Sequence, residues 1–153
     1  MRLGLVAVGR VKQRQCAGLC EHYEKRIVRY TRFDHVEVKD GRGRDPARAM
    51  EDEGQRLLDK LPDGCRAVLL DENGTRRTSV GLAEWLTERE RDTRDLRFVL
   101  GGSHGFSDAV RARADDTFRL SDLTLPHELA RVLFLEQLYR ALSIQRGSGY
   151  HHE

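Results

Sequence analysis

The stretch that decides the fold is FVLGGSHGFSDAVRARADDTFRLSDLTLPHELARVLFLEQLYRALSIQRGSGYH, residues 98–151. An apolar run over 96–100 enters a glycine-rich loop, 101–105. A second apolar run over 118–120 enters a small polar loop, and Pro126 then opens a long amphipathic helix. In an open α/β sheet, two strand ends that each lead through a tight loop into a helix usually form the floor of a small-molecule site. The stretch therefore predicts a sheet with a site at its edge.

Upstream of this stretch, strands and helices alternate in the same way. Short apolar runs predict three further strands, over 3–8, 33–38 and 66–71, the last ending in a turn at 71–74. Capping residues and helical spacing predict five helices. They span 12–31, 46–61 (cap Asp45, with Pro46 in the first position), a segment after the cap Ser79, 108–114 (cap Ser107) and 126–145. This alternation predicts an α/β fold, an open and mostly parallel sheet with helices on both faces, in a single domain over 1–153.

Composition limits the classes of protein to which the chain can belong. With 153 residues, of which 39% are hydrophobic, it is long enough to bury a core. No apolar run has the length of a membrane span and the N-terminus lacks a signal-peptide pattern, so we predict a cytoplasmic protein without a membrane partner. A net charge of +2 excludes coating of nucleic acid by bulk charge. An RNA-binding role would need a local basic patch or a surface shared by a dimer.

The three cysteines do not predict a disulfide framework, because their number is odd and the setting is predicted to be cytoplasmic. Cys16, Cys20 and His22 are close enough in sequence to suggest a metal site. Cys16 and Cys20, however, lie one helical turn apart beside Leu19 and Tyr23, which is typical of small residues packed on a helix. We therefore predict no metal.

The loop 101–105 allows more than one interpretation. It fits the G-x-S-x-G nucleophile elbow of serine hydrolases, with Ser103 as the nucleophile, Asp122 as a candidate acid and His127 as a candidate base. It is also a partial match to a dinucleotide-binding loop. A plain turn without a function could have the same sequence. The acid and the base lie only five residues apart and the chain is short for a hydrolase. The hydrolase therefore remains an alternative, as does an RNA-binding module without catalysis.

The second loop and the last helix add a candidate binding edge and a candidate partner surface. Thr124 is a candidate cap, and small polar residues at the head of a helix suit an adenine edge or a carboxylate. The helix carries apolar residues at helical spacing, and Phe134 and Leu135 make this belt broader than packing on one sheet requires. We therefore expect part of this helix to be buried in a homodimer. Glu136 and Arg140 are spaced for an ion pair.

Together these segments resemble the ribosomal RNA large subunit methyltransferase H family, within the knotted SPOUT class. The likeness covers nearly the whole chain and is most specific in FVLGGSHGFS, LSDLTLPHELARVLFLEQLYRA and GYHH, with LLDENG as upstream support. The resemblance implies a homodimeric enzyme that uses S-adenosyl-L-methionine to methylate N3 of a pseudouridine in 23S ribosomal RNA of the assembled ribosome. It also implies a C-terminal trefoil knot, which sequence rules alone would not predict.

The resemblance further implies which residues bind the cofactor. They are the ends of three strands and their loops, namely Leu70, Gly101, Leu120, Ser121, Asp122, Leu123, Thr124 and Leu125. For catalysis we expect Arg140 to favour the deprotonated form of N3 and His151 to accept its proton. For the RNA substrate we expect contacts from Arg140, Tyr150 and His151, with the Tyr150 ring stacking on an unpaired base. Ser103-His104 departs from the residues common in the family at this loop.

Overall fold

The computed structural model describes residues 1–150, and the predicted site residue His151 lies outside them. Strands and helices alternate along this part of the chain. The elements are β1 (Arg2–Val8), α1 (Arg14–Ile27), β2 (Phe33–Val38), α2 (Pro46–Leu58), β3 (Arg66–Arg76), α3 (Ser79–Arg89), β4 (Asp95–Leu100), α4 (Asp108–Arg113), β5 (Asp116–Arg119) and α5 (His127–Gln145). The predicted elements are all present.

The five strands form one sheet in the order β2-β1-β4-β3-β5, and every described pairing is parallel. The predicted α/β class with a parallel sheet is confirmed. Parallel strands have their carboxyl ends at one edge, so the loops after all five strands share that edge. The trefoil knot stays a prediction, because strand order and pairing do not define whether a segment passes through a loop.

Helices cover both faces of the sheet, as predicted. On one face α1, α3 and α5 bury side chains such as Leu5, Phe98 and Phe134. On the other face α2 and α4 pack against Val6 and Val99. The central strands are therefore apolar on both faces, which explains why they read as continuous apolar runs rather than as alternating patterns.

The capping predictions are correct for two helices and wrong for two. Asp45 accepts a hydrogen bond from the Ala47 amide (3.1 Å) and Ser107 accepts one from the Val110 amide (3.4 Å), as predicted. Helix α3 is capped by Thr78, not Ser79, and Ser79 instead donates to Gln137 on α5. Thr124 does not cap α5, because that helix begins at His127 with Pro126 in the cap position and no side-chain cap.

Two strand boundaries also differ from the prediction. β3 does not end at 71, because pairing with β5 resumes at Thr75 after a break in register that starts beyond Leu70. The predicted turn is present inside this break, where the Asn73 amide donates to the Asp71 carboxylate (2.9 Å). β5 starts at Asp116, two residues before the predicted start, and ends at Arg119.

Helix α1 buries Cys16 and Cys20, as the packing interpretation predicts, whereas the apolar belt of α5 is used differently from the prediction. Leu19 is 44% exposed, and the buried side of α1 is formed by Cys16, Cys20 and Ile27. Burial raises the pKa of the Cys20 thiol to about 11. Phe134 and Leu135 are completely buried within the chain. The breadth of the α5 belt is thus used by the sheet, α1 and α3, and it does not by itself indicate a partner.

A buried arginine explains a glycine in β1. Arg97 on β4 is 2% exposed, and its guanidinium donates to Asp95 (2.5 Å) and Asp34 (2.6 Å). A methyl group on Gly4 would lie 2.3 Å from this guanidinium. Arg97 cannot move away without weakening its bonds to these two carboxylates.

Gly4→Ala is therefore expected to lower the free energy of unfolding by about 1–3 kcal/mol, the usual range for overpacking. Urea unfolding monitored by circular dichroism measures this change. Gly18→Ala, in the middle of α1 with open space at its Cβ position, is the matched control. It should raise the stability by up to about 1 kcal/mol through helix propensity. Equal midpoints for Gly4→Ala and the unmodified protein would mean that Arg97 moves freely.

Candidate cofactor and active site

A cavity of about 590 Å³ lies at the carboxyl edge of the sheet, within the usual size range of small-molecule sites. The break within β3, the loops after β4 and β5, and the start of α5 form its walls. Seven of the eight predicted cofactor residues line it, namely Leu70, Gly101, Leu120, Ser121, Leu123, Thr124 and Leu125. The eighth, Asp122, does not, and its carboxylate pairs with Arg76 (3.0 Å) and Arg119 (3.2 Å). The structure thus brings together the strand ends that the sequence singled out.

The glycine loop after β4 is a tight turn. The Gly105 amide donates to the Gly102 carbonyl (3.1 Å), and Gly105 has φ of 80°, which favours glycine. A Cβ on Gly101 would lie 3.0 Å from the Phe106 ring. The absent side chain of Gly101 therefore makes room for Phe106, which is buried and itself lines the cavity, rather than directly for a ligand.

Polar cavity residues that sequence analysis did not select lie on the wall formed by β3 and α4. Asp71 is buried. Its carboxylate accepts a hydrogen bond from the Arg111 guanidinium and forms an ion pair with it. Glu72 also lines the cavity, is exposed, and has no ion pair within residues 1–150. Their position directly after an apolar run could have marked Asp71 and Glu72 as site residues. We interpreted these residues only as part of a turn.

A further carboxylate lies behind the glycine loop. Glu53 on α2 is 3% exposed, and its Oε1 accepts a hydrogen bond from the Gly41 amide (2.8 Å). Its Oε2 has no partner among the described residues and would be 2.7 Å from a Cβ on Gly102. Glu53 therefore connects the loop after β2 with the loop after β4. No sequence pattern marked it, because a glutamate in a helix is normally exposed.

The first turn of α5 holds the loop that follows β1. Nε2 of His127 lies 2.8 Å from the Val8 carbonyl oxygen. Arg131 is completely buried and donates to the carbonyls of Val8 (3.0 Å) and Gly9 (2.9 Å) and to Glu37 (3.0 Å). Because His127 also lines the cavity, one helical turn contacts both the cavity and the β1 loop.

The hydrolase constellation is not assembled. His127 is engaged with the Val8 carbonyl and Asp122 with two arginines, and no hydrogen bond joins either of them to Ser103 in the part of the chain that the structure describes. A nucleophile elbow strains the backbone of its serine. Within residues 1–150, however, no residue other than glycine has a positive φ. Ser103 and its neighbour His104 lie exposed at the tip of the turn.

Arg140 and Tyr150 lie together, but not at the cavity of their own chain. The Arg140 guanidinium carbon lies 4.9 Å from the centre of the Tyr150 ring. Neither residue lines the cavity, whereas Ala130 on the same helix does. Ten residues separate Ala130 from Arg140, which corresponds to roughly 15 Å along a helix.

Both side chains are held by contacts within the chain. Arg140 donates to Glu136 through Nε (3.0 Å) and Nη2 (2.6 Å), and this carboxylate raises the pKa of Arg140. The Tyr150 ring packs edge-on against Tyr139, with centres 4.6 Å apart, and its hydroxyl donates to Glu136 (3.3 Å). Burial, with a smaller effect from Tyr23, raises the pKa of Tyr150 to about 12. The predicted roles of both residues in RNA binding stay predictions.

The described residues contain no group of three or more histidine, cysteine or acidic side chains arranged to hold a metal ion. Cys16 and Cys20 are buried on α1, as the packing interpretation predicts. Within residues 1–150, none of the helices combines the length and the apolar character that crossing a membrane requires.

Comparison with known proteins places the chain in a family. The model of a family described as "Predicted SPOUT methyltransferase" matches residues 1–151. The proteins named ribosomal RNA large subunit methyltransferase H from Gloeobacter violaceus and Geotalea daltonii are 47% and 42% identical to the chain. Each alignment covers 99% of this chain, and it covers 99% and 100%, respectively, of the relative.

The chain belongs to the ribosomal RNA large subunit methyltransferase H family of SPOUT methyltransferases. The family assignment expected from the sequence is thereby confirmed. Among solved structures, the SpoU methyltransferase AviRb from Streptomyces viridochromogenes is a distant likeness, with a TM-score of 0.49 and 15% identity. That alignment covers 95% of this chain and 60% of AviRb. For this SPOUT methyltransferase, the cavity at the carboxyl edge is the candidate cofactor site.

Proposed function

We propose that this enzyme transfers a methyl group from S-adenosyl-L-methionine to N3 of a pseudouridine in 23S ribosomal RNA of the assembled ribosome. The observation that carries the proposal is the cavity formed by the break within β3 and the loops after β4 and β5, in a chain of this family. The names of the full-length relatives, which specify large-subunit ribosomal RNA, support the substrate class. The proposal includes a single catalytic domain, a cytoplasmic location beside the ribosome, and the trefoil knot of the SPOUT class.

The residues around the cavity fit such a cofactor. Apolar side chains such as Leu70, Leu100 and Leu125 and exposed backbone line it, which suits a purine ring and its hydrogen-bonding edge. The carboxylate of Glu72 has no partner within residues 1–150 and suits the positively charged part of the ligand. Leu70, Gly101 and residues 120–125 would hold the cofactor, which when bound supplies a methyl group on a sulfonium.

The contribution of the chain itself is positioning and proton handling. Holding donor and acceptor in line contributes roughly 7–11 kcal/mol in well-oriented reactions. N3 of a pseudouridine carries a proton and is a poor nucleophile until that proton leaves. In the proposal a guanidinium, that of Arg140, lowers the pKa of this imide by favouring its anion. His151 is the proposed proton acceptor, because an imidazole titrates near neutral pH.

The proposal requires two copies of the chain, because Arg140 and Tyr150 do not reach the cavity of their own subunit. We infer a homodimer in which these residues of one subunit face the cavity of the other. Apolar side chains exposed on neighbouring helices support this interface, with Leu19 on α1 and Leu129 on α5 being 44% and 46% exposed. A two-fold dimer would cover both patches with a single contact.

The test of the function is methylation of ribosomes that lack the mark. Purified protein is incubated with radiolabelled S-adenosyl-L-methionine and either 70S ribosomes or free 23S RNA, and the modified nucleoside is identified by mass spectrometry. We expect one methyl group per ribosome, on N3 of a pseudouridine, and faster reaction with ribosomes than with free RNA. Absence of methylation on both substrates, or a methyl group on another nucleoside, would contradict the proposal.

A further inference from the structure

The carboxyl edge of the sheet is divided into two halves of different chemistry. The break within β3 and the loops after β4 and β5 form the cavity. The loops after β1 and β2 lie beside it, because the strand order places β1 next to β4 and β2 next to β1. About 5 Å separates neighbouring strands, so the basic half begins one strand spacing from the glycine loop.

The β1 and β2 loops, with the first turns of α1 and α2 that follow them, carry the excess positive charge of the chain. Within residues 10–14 and 39–48 there are seven basic and two acidic side chains, while 20 basic and 23 acidic ones remain elsewhere. The basic residues are Arg10, Lys12, Arg14, Lys39, Arg42, Arg44 and Arg48. Each is exposed, and in the described part of the chain none forms a salt bridge. We call these seven residues the basic rim.

Side chains of α2 hold the main chain of the β2 loop in place. Arg56 donates to the carbonyls of Lys39 and Asp40, both at 3.1 Å, and Glu53 accepts from the Gly41 amide. A Cβ on Gly41 would lie 2.4 Å from the Ala49 carbonyl oxygen, so the loop rests directly on α2. Asp45, one of the two acidic residues here, is used as the cap of that helix.

The β1 loop is anchored in the same manner. Arg131 binds the carbonyls of Val8 and Gly9, and Glu128 accepts hydrogen bonds from the amides of Lys12 and Gln13. The backbone is thus fixed from below by α5 while Arg10, Lys12 and Arg14 remain exposed. Because the backbone is already fixed, the entropy lost on binding a polyanion is limited to the ordering of the cationic side chains.

We propose that the basic rim binds phosphates of the RNA strand that leads into the cofactor cavity, an inference that rests on the proposed function and adds where the substrate is held. Unpaired arginines and lysines on a fixed backbone suit phosphate oxygens, and they carry no base specificity. The side chains that hold the β1 and β2 loops also connect the basic rim to the cofactor cavity. Glu53 lies against Gly102, and the helical turn that binds Val8 and Gly9 also lines the cavity.

The test compares two triple variants with the same change in charge. Arg42→Gln/Arg44→Gln/Arg48→Gln removes part of the basic rim. Arg29→Gln/Arg32→Gln/Arg94→Gln removes three exposed arginines at or near the amino edge of the sheet, where the backbone of residues 32 and 94 meets the start of β1. Binding to a fluorescently labelled 23S RNA transcript and to 70S ribosomes is measured without cofactor over a series of KCl concentrations. Cofactor affinity is measured separately by calorimetry.

We expect the rim variant to bind both RNA and ribosomes at least tenfold more weakly. The slope of log affinity against log salt should fall by about two to three, as three lost phosphate contacts predict. The amino-edge variant should stay within about twofold of the unmodified protein, and both variants should keep their cofactor affinity. Because binding is read without methyl transfer, the result does not depend on whether the proposed reaction takes place.

Three outcomes would overturn the inference. An unchanged salt slope would show that the rim does not contact phosphates. Equal losses in both variants would show that only total charge matters. A loss confined to ribosomes, with binding to naked RNA intact, would assign the rim to a ribosomal protein instead. Failure of the unmodified enzyme to methylate ribosomes that it binds through the rim would contradict the proposed function and leave the inference standing.

Discussion

Arg140→Ala is expected to lower the rate of ribosome methylation by about 100-fold or more, the usual cost of removing one charge-stabilising group from an active site. The affinity for S-adenosyl-L-methionine should stay within about twofold, because the proposed partner of Arg140 is N3 of the RNA base and not the cofactor. Deletion of residues 150–153 should have a similar effect, since it removes Tyr150, against which Arg140 packs, together with His151. Single-turnover methylation and calorimetry measure the two quantities.

The control for packing is Tyr150→Phe, which removes only the hydroxyl bonded to Glu136 and keeps the ring against Tyr139. It should retain most of the activity if the ring supports Arg140. Melting temperatures of all three variants show whether any of them has lost its fold. A truncated protein that methylates as fast as the full chain would remove the tail from the site.

The same variants test whether the site is shared between two subunits. Arg140→Ala and Gly101→Val should each be inactive alone. Mixed and allowed to exchange subunits, they should recover up to about a quarter of the normal activity, because half of the dimers then contain one intact composite site. No recovery in a mixture shown to contain heterodimers would place Arg140 and the cavity in one chain. A fully active monomer in sedimentation would contradict the dimer itself.

Gly101→Val is expected to weaken cofactor binding by about 100-fold, near the upper end of the free energies that overpacking costs. The reason is steric and acts through Phe106, since even the first carbon of a side chain at 101 would lie 3.0 Å from that ring. The ring would be pushed into the cavity that it lines, or the loop would open. Calorimetric titration with S-adenosyl-L-methionine measures the loss.

Two further variants separate this cause from a general loss of stability. Ala112→Val adds the same side chain on α4 at an exposed position outside the cavity lining, and it should bind cofactor normally. In the Gly101→Ala variant, the additional substitution Phe106→Leu should partly restore cofactor binding, because it removes the ring that the new methyl group meets. Unaltered cofactor affinity in Gly101→Val would exclude Gly101 from the site.

The sequence predicted the class of fold and the edge at which the site lies, because both follow from local patterns. Apolar runs alternating with amphipathic helices require a parallel sheet covered on both faces, and parallel strands bring their carboxyl ends together. The family resemblance added the individual cavity residues Leu70, Gly101 and Leu120 at that edge, and the structure places them around one space. The family assignment likewise followed from short segments at that edge.

Where the sequence failed, the deciding contacts came from segments distant in the chain. Leu19 is apolar and lies beside the two packed cysteines on α1, yet the fold leaves it exposed. β3 continues past its turn because it meets β5, more than 40 residues later. The buried Arg131 and Glu53 carry no sequence signal, since a charged residue is tolerated inside only when the fold supplies its partners.

The sequence by itself thus determined the alternation of elements, the parallel sheet and the set of loops that could bind a ligand. Only the tertiary structure decided that Gly101 makes room for Phe106, that Arg140 lies away from the cavity of its own chain, and that the cations after β1 and β2 flank that cavity. The physical reason is that periodicity and capping act within a few residues. Strand order, burial of charge and the meeting of loops depend on contacts between segments far apart in the chain.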